Sequence, residues 1–233
     1  TINAVLHAKA TPVIVDIEKD SWCISPDEIQ KAITLKTKAI IPVHIYGQPC
    51  DMDSIMNLAK INNLYVIEDC AEAHGAKYKN KKVGSFGDIS CFSFFGNKIL
   101  TTGEGGMCLT DSDFLNERMR VLRDHGMSKS KKYWHDMIGY NYRLTNIQAA
   151  VGFAQLEKIE LVLKNREKYE SMYRSVLKCV NGIKFQENNL KHRKKVTWLV
   201  PVILEDEKRM KVLVNKLKGL GLESKPFFYP LSM

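Results

Sequence analysis

The sequence predicts an α/β fold in which a mostly parallel sheet is flanked by helices and followed by a smaller α+β part. Short apolar runs rich in β-branched residues alternate with amphipathic segments. Continuous apolar runs are typical of parallel strands buried on both faces, and the strand–helix–strand order indicates helical crossovers. The chain has 233 residues and is 45% hydrophobic, which is enough to bury a sizeable core and excludes a disordered chain.

The first part of the chain supplies most of the predicted sheet. A helix is expected from Pro26, with Ser25 as its cap and Glu28 completing a capping box. Strands are then predicted at 38–45, 64–70, 89–95 and 106–110, and helices at 53–62 and 113–123. In such sheets the functional groups lie just past the carboxyl ends of the strands.

The character of the sequence changes at Thr145. Thr145 and Gln148 form a second capping-box pattern, and the segment after them stays compatible with a helix to about Val180. An unbroken helix of that length would reach roughly 50 Å, so we expect a break or bend. A strand at 196–204 and a helix at 206–218 follow. We therefore divide the chain into a large domain at 1–152 and an incomplete small domain at 153–233.

Charge and cysteine content narrow the function classes. The chain carries 35 Lys and Arg against 26 Asp and Glu, a net charge of +9, with basic clusters at 128–132 and 191–195. Such runs are typical of solvated loops, and the alternative is attraction of phosphorylated partners. We find no nucleic-acid-binding motif and therefore expect no nucleic-acid partner. Six cysteines without C-x-x-C spacing favour a reduced, cytoplasmic protein.

The two ends of the chain resemble the interior of a domain. The opening, TINAVLHAKATPVIVD, lacks the features of a signal peptide, and no apolar run approaches the roughly 20 residues of a membrane span. We therefore expect no membrane association. The chain ends on the apolar stretch FFYPLSM. We expect it to be a segment of a longer protein.

Two residues that follow predicted strands suggest a cofactor. Asp69 ends the strand at 64–70, and Lys98 follows the strand at 89–95. Each alone is weak evidence, because an aspartate there can cap a helix and a lysine there can point into water. Together they match pyridoxal phosphate, which needs a lysine for its aldehyde carbon and a carboxylate at its ring nitrogen.

The surrounding motifs carry a family resemblance. The stretches are VHIYGQPCDMD, VIEDCAEAHGA, VGSFGDISCFSFFGNK, TTGEGGM and GYNYRLTNIQAAVGFAQLEK. With them the chain resembles the DegT/StrS family of nucleotide-sugar aminotransferases, which have the type I aminotransferase fold. FSFFGNK and WHDMIGYNYR are most similar to the branch that aminates GDP-4-keto-6-deoxymannose. The resemblance implies transfer of an amino group from L-glutamate to the 4-keto group of a nucleotide-linked sugar, GDP-linked sugars being favoured, in polysaccharide biosynthesis.

The resemblance also assigns roles to individual residues. It implies that Lys98 binds pyridoxal 5'-phosphate covalently and moves a proton, and that Asp69 is the partner of the pyridine nitrogen. Ser93 matches a ligand of the cofactor phosphate. Asn141 matches an asparagine that reaches the phosphate in the neighbouring subunit, which implies a homodimer with a shared active site. Glu72 matches a position beside the ring oxygen, where many members have Gln.

Several candidates keep two interpretations. A carboxylate beside a phenolate would be repelled unless it is protonated, so we expect a raised pKa for Glu72. His74 either lines the cofactor pocket or is a hydrogen-bonded structural histidine. Arg143 and Tyr229 are possible substrate contacts, although a surface salt bridge and a core aromatic are their commoner roles. His44 fits a strand end better than a metal site, and we expect no metal.

Two features of the family are not matched. The Gly-Thr turn that binds the phosphate, and an aromatic residue that stacks on the ring, would both precede residue 1. We therefore expect this fragment alone to be inactive. Two alternatives to the aminotransferase remain: a non-catalytic regulator or scaffold, and a sugar dehydratase. The dehydratase branch has His in place of the lysine, and Lys98 argues against it.

Overall fold

The computed structural model describes residues 1–229 of the chain. In that part the helices are α1 (Ile2–His7), α2 (Pro26–Ala32), α3 (Met52–Ile61), α4 (Asp113–Arg123), α5 (Asn146–Leu156), α6 (Ile159–Leu177) and α7 (Glu207–Gly219). The strands are β1 (Ala39–Ile40), β2 (Tyr65–Asp69), β3 (Lys77–Tyr78), β4 (Lys81–Lys82), β5 (Ile89–Ser93), β6 (Gly106–Leu109), β7 (Ile183–Phe185), β8 (Arg193–Lys194) and β9 (Val202–Leu204). Ile45–Gly47 forms a short 3₁₀ turn.

The central sheet has the strand order β1-β2-β5-β6. Strand β2 pairs in parallel with β1 and β5, whereas β6 is antiparallel to β5. The predicted mostly parallel sheet is therefore confirmed. Asp69, at the carboxyl end of β2, lies opposite Cys91 of β5, so the residues that follow these two strands share one edge of the sheet.

The main core lies between the sheet and helices α2 and α3. Asp51 caps α3 by accepting a hydrogen bond from the amide of Ser54, and the buried face of α3 comprises Met52, Ile55 and Ala59. This face packs with Val66 of β2 and its neighbours into one buried apolar cluster. Burial of these side chains fixes β2 and therefore the position of Asp69 at its end.

Two predicted strands are shorter than expected, and both contain proline. In the segment 38–45 only Ala39–Ile40 pairs regularly, because Pro42 has no amide hydrogen to donate to a neighbouring strand. In the segment 196–204 only Val202–Leu204 is a strand, and it begins directly after Pro201. Strand β6 is exposed throughout, so its apolar sequence does not indicate burial in the described part of the chain.

The helix-start predictions have different outcomes. Thr145 and Gln148 form the complete predicted capping box, and the long helical segment breaks between α5 and α6, as expected. Ser25 accepts a hydrogen bond from the amide of Glu28, but the Glu28 carboxylate pairs with Lys31 at 2.6 Å instead of returning to the cap. The capping box predicted at Ser25 is therefore wrong.

The predicted basic loop at 191–195 contains two buried charges. Arg193 pairs with Glu18, and Lys195 lies 2.9 Å from Glu170. Buried cations need such partners, because leaving water without a counter-charge is costly. The interpretation of this cluster as a solvated loop is wrong for these two residues.

Residues after position 152 contact the first part of the chain. Strand β8 pairs with β3, and the Gln186 amide donates to the carbonyl oxygen of Ser21 at 2.7 Å. Strands β7 and β9 form a separate antiparallel pair, against which α7 packs. The domain boundary at 152 stays a prediction. Among the described residues, no helix is both long enough and apolar enough to cross a membrane.

Candidate active site

The carboxylate of Asp69 is held at the edge of the sheet by hydrogen bonds to both of its oxygens. Oδ2 accepts from the hydroxyl of Thr1 at 2.6 Å, and Oδ1 accepts from the backbone amide of Ala71 at 3.1 Å. Because both oxygens have donors, the carboxylate has a defined orientation. The β2 strand thus presents a fixed acid where parallel strands end.

The Lys98 side chain is largely buried, and its amine lies beside Glu72. Its side chain is 11% exposed, and its Nζ lies 3.8 Å from Oε1 of Glu72. Burial lowers the pKa of Lys98, and the charges of Glu72 and Asp69 partly oppose that fall. The two residues predicted to share a cofactor therefore lie within electrostatic reach of each other.

Glu72 is held from the side opposite to Lys98. Its Oε2 accepts a hydrogen bond of 2.7 Å from the backbone amide of Tyr46. Tyr46 has a left-handed conformation, with φ 52° and ψ 29°, which is uncommon for a bulky residue. Burial raises the pKa of Glu72 more than the Tyr46 amide and the Lys98 charge lower it. The predicted direction for Glu72 agrees with this geometry.

His74 is buried and lacks hydrogen-bond partners. Its ring packs against Phe92 and Phe94, with centroids 5.4 and 6.0 Å away, and neither ring nitrogen has a partner of acceptable geometry in the described part of the chain. Burial, followed by the charge of Lys98, lowers the pKa of His74 to about 4, so the ring is neutral. These facts favour a pocket-lining histidine over a hydrogen-bonded structural one.

The remaining candidates lie at the strand end or on the surface. Ser93 ends β5, and its Oγ accepts from the amide of Phe95 at 3.3 Å. Asn141 is exposed, and Arg143 pairs with Asp124 at 3.4 Å. Tyr229 is 80% exposed. The structure thus brings Lys98, Asp69, Glu72 and His74 together, and leaves Asn141, Arg143 and Tyr229 open to solvent.

A second carboxylate, Glu68, lies beside the site, and the sequence did not predict its partners. Glu68 is fully buried and accepts a 3.1 Å hydrogen bond from Nε2 of His44. It also accepts from the amides of Gly84, Phe86 and Gly87 at 2.7–2.8 Å. Burial would raise the pKa of Glu68, but these hydrogen bonds outweigh it and lower the pKa. Alternation along β2 is the available signal, because Glu68 and Asp69 must point to opposite faces.

The same hydrogen-bond network fixes the tautomer of His44. Its Nδ1 accepts from the amide of Cys50 at 3.1 Å, so the ring proton lies on Nε2, facing Glu68. Cys70 brings a third atom of a metal-ligating type within 4.8 Å of these two side chains. The His44 and Glu68 atoms are already engaged in hydrogen bonds, so this cluster is explained as a structural network.

The geometry of the cleft agrees with the comparisons with known proteins. The model of the DegT/DnrJ/EryC1/StrS aminotransferase family matches residues 1–233. The chain belongs to this family. The resemblance seen in the sequence motifs is thereby confirmed.

Two relatives show which members of the family the chain is similar to. The chain is 44% identical over 231 residues to GDP-perosamine synthase of Escherichia coli O157:H7, covering 99% of this chain and 63% of that protein. It is also 44% identical to GDP-perosamine synthase of Caulobacter vibrioides, over 98% of this chain and 62% of that protein. The chain therefore spans somewhat less than two thirds of these relatives.

A solved member of the family confirms the fold. Helicobacter pylori PseC, an aminotransferase involved in the biosynthesis of pseudoaminic acid, superposes with a TM-score of 0.92 at 31% identity. The match covers 98% of this chain and 62% of PseC. The α/β aminotransferase fold expected from the sequence is thus confirmed.

Proposed function

We propose that the protein is a pyridoxal-phosphate-dependent aminotransferase acting on a nucleotide sugar. It transfers the amino group of L-glutamate to the 4-keto group of a nucleotide-linked 4-keto-6-deoxy sugar, with GDP-linked sugars favoured. One observation carries the proposal: the buried amine of Lys98 lies 3.8 Å from the carboxylate of Glu72 and within electrostatic reach of Asp69. The identity to the two GDP-perosamine synthases supports the choice of substrate.

The residues of the cleft fit pyridoxal phosphate. Lys98 would hold the cofactor covalently, Asp69 would hold a proton at its ring nitrogen, Ser93 would bind its phosphate, and Glu72 would serve the ring oxygen. The unpartnered nitrogens of buried His74 support the fit, since a polar group in this cleft would satisfy them. When bound, the cofactor supplies an electron sink for the negative charge that develops on the substrate carbon.

In this proposal Lys98 transfers a proton, and Glu72 favours its protonated form. Burial lowers the pKa of Lys98, which favours the free amine that takes a proton from the α-carbon of the amino donor. Burial raises the pKa of Glu72, which favours its protonated form where a carboxylate would repel a phenolate oxygen. Hydrogen bonds from the hydroxyl of Thr1 and the amide of Ala71 hold the carboxylate of Asp69 in one orientation.

The proposed enzyme is a cytoplasmic homodimer. Exposed Asn141 would serve the cofactor phosphate of the neighbouring subunit, and Arg143 and Tyr229 would contact the substrate. The exposure of these three side chains supports roles directed outside their own subunit. The six cysteines are all free thiols, which supports a reducing compartment.

The test replaces the lysine. In the full-length protein, Lys98→Ala removes the amine proposed to bind the cofactor, so both the visible absorbance of bound pyridoxal phosphate and turnover with L-glutamate and the GDP-linked 4-keto sugar should be lost. Lys79→Ala is the matched control, because Lys79 is a half-exposed lysine paired with Asp53 on the surface. Survival of absorbance and turnover in Lys98→Ala would overturn the proposal.

The same assay separates the alternatives. A regulator or scaffold would yield no amino sugar from any 4-keto nucleotide sugar. A dehydratase would consume the sugar without transferring nitrogen from L-glutamate. Comparing GDP-linked with UDP-linked sugar tests the substrate class, since the proposal expects faster turnover of the GDP-linked compound.

A further inference from the structure

The amine of Lys98 lies over the ring face of Trp198, a residue distant in sequence. Its Nζ lies 3.9 Å from the ring centroid of Trp198, which is 4% exposed. The indole Nε1 also donates a 2.8 Å hydrogen bond to the backbone carbonyl of Asn97, the residue before Lys98. Trp198 therefore contacts both the charged end of the lysine and the backbone that carries it.

Aromatic stacking and a nearby backbone hydrogen bond hold Trp198 in position. Its ring stacks on Tyr46 with centroids 5.8 Å apart and an interplanar angle of 18°. Two residues earlier, the amide of Val196 donates to the carbonyl of Gly47 at 3.1 Å, which holds the segment against the 3₁₀ turn. Tyr46 in turn donates its amide to Glu72, so four residues form a closed ring of contacts: Tyr46, Glu72, Lys98 and Trp198.

We propose that Trp198 is a positioning residue that holds the amine of Lys98 in the cleft through a cation–π contact and through its hydrogen bond to Asn97. The catalytic consequence rests on the proposed aminotransferase function, but the contact itself does not. An ammonium near a buried aromatic face is stabilised relative to the neutral amine by the ring quadrupole. Trp198 lies after the predicted boundary at 152, so the C-terminal part of the chain acts on the lysine of the N-terminal part.

Other groups also set the charge of Lys98, and the test must separate them. The titratable groups around its Nζ are the carboxyls of Glu72 and Asp69 and the imidazole of His74. Both carboxylates favour the ammonium, whereas burial favours the free amine. A change confined to the electron density of one ring leaves all three groups and the packing in place.

Fluorinated tryptophan provides such a change. Fluorine withdraws electron density from the indole face with little change of shape, so successive substitution weakens a cation–π contact stepwise. The chain has three tryptophans, so Trp22→Phe and Trp134→Phe leave the label at Trp198 alone. The readout is the rate at which an amine-specific acylating reagent modifies Lys98 in protein freed of pyridoxal phosphate, followed across pH by peptide mapping.

The expected result is a graded rise in reactivity. Each added fluorine should raise the acylation rate of Lys98 at neutral pH, to about tenfold for the most fluorinated ring, since less of the lysine remains ammonium. Lys79, which has no aromatic contact, should be unaffected and serves as the internal control. A flat series, or one that slows, would overturn the inference.

A second variant tests the hydrogen bond from the indole of Trp198 to the carbonyl of Asn97. Trp198→Phe removes the indole donor of the hydrogen bond to Asn97, so we expect faster amide hydrogen exchange at 97–99. Unchanged exchange would overturn the positioning role. Both measurements use protein without cofactor or substrate, so their failure leaves the aminotransferase proposal standing, and loss of that proposal leaves their outcome readable.

Discussion

Oε1 of Glu72 lies 3.8 Å from Nζ of Lys98, and both side chains are about nine-tenths buried. This distance is longer than a hydrogen bond and short enough for strong electrostatic coupling in a partly dry cleft. Burial raises the pKa of Glu72 and lowers that of Lys98, so each side chain is pushed towards its neutral form while the other opposes that change. The protonation of each group therefore depends on the charge of the other.

Glu72→Gln should lower the pKa of Lys98. The substitution keeps the size of the side chain and an oxygen for the Tyr46 amide, but removes the charge that favours the ammonium. The acylation rate of Lys98 at neutral pH should therefore rise several-fold. Peptide mapping of the cofactor-free protein measures it.

A matched control distinguishes the charge from the fold. Glu160→Gln changes an exposed carboxylate on α6 and should leave the acylation of Lys98 unchanged. An unchanged or slower rate in Glu72→Gln would show that the Glu72 charge does not reach Lys98. In the catalytic assay the variant should retain bound cofactor, because the proposed covalent link is to Lys98.

The sequence could predict that Asp69 and Lys98 lie at the same edge of the sheet. It could not predict that Trp198 packs against Lys98. Asp69 ends one predicted strand and Lys98 follows another, and parallel strands bring their carboxyl ends to one edge. Trp198 is 100 positions from Lys98 and belongs to a segment predicted to be a strand. Its place depends on long-range packing against Tyr46, for which local periodicity carries no signal.

Glu68 shows another limit of pattern reading. Within EDC, the sequence marks two adjacent acids at a strand end, and strand alternation separates them by face. The partners of Glu68 come from backbone amides of a loop at 84–87 and from His44, which no local pattern pairs with it. The function of Glu68 as a structural anchor therefore required coordinates.

Glu68→Gln should destabilise the protein by about 2–4 kcal/mol at pH 7, because an amide nitrogen would then face donors inside the core. The folded-state pKa of Glu68 lies below its ordinary 4.5, so its charge contributes stability that is present above 4.5 and is lost as pH falls through the folded-state value. The difference between wild type and variant should therefore be full at pH 7 and shrink below pH 4.5.

Urea unfolding followed across pH measures this difference. The control is again Glu160→Gln, whose exposed side chain should change stability by no more than about 0.5 kcal/mol. A gap between Glu68→Gln and wild type that stays constant down to pH 3 would contradict the assignment of charge to Glu68.

Gly47→Ala should destabilise the protein by more than about 2 kcal/mol, for two separable reasons. Gly47 has φ +83°, which disfavours any residue with a Cβ, and an added Cβ would lie 2.1 Å from the carbonyl oxygen of Val196. The backbone of Val196 must therefore move, and Trp198 two residues later moves with it. The variant should lose stability and also show altered acylation of Lys98.

Two other glycines separate the backbone conformation from the clash. Gly221 has φ +74° with open space around it, so Gly221→Ala should cost only about 1 kcal/mol, the conformational part alone. Gly219 ends α7 without a positive φ or a close neighbour, so Gly219→Ala should be neutral or slightly stabilising. If Gly47→Ala costs no more than Gly221→Ala in urea unfolding, the close approach of Val196 to the turn is wrong, and with it the rigid placement of Trp198 beneath Lys98.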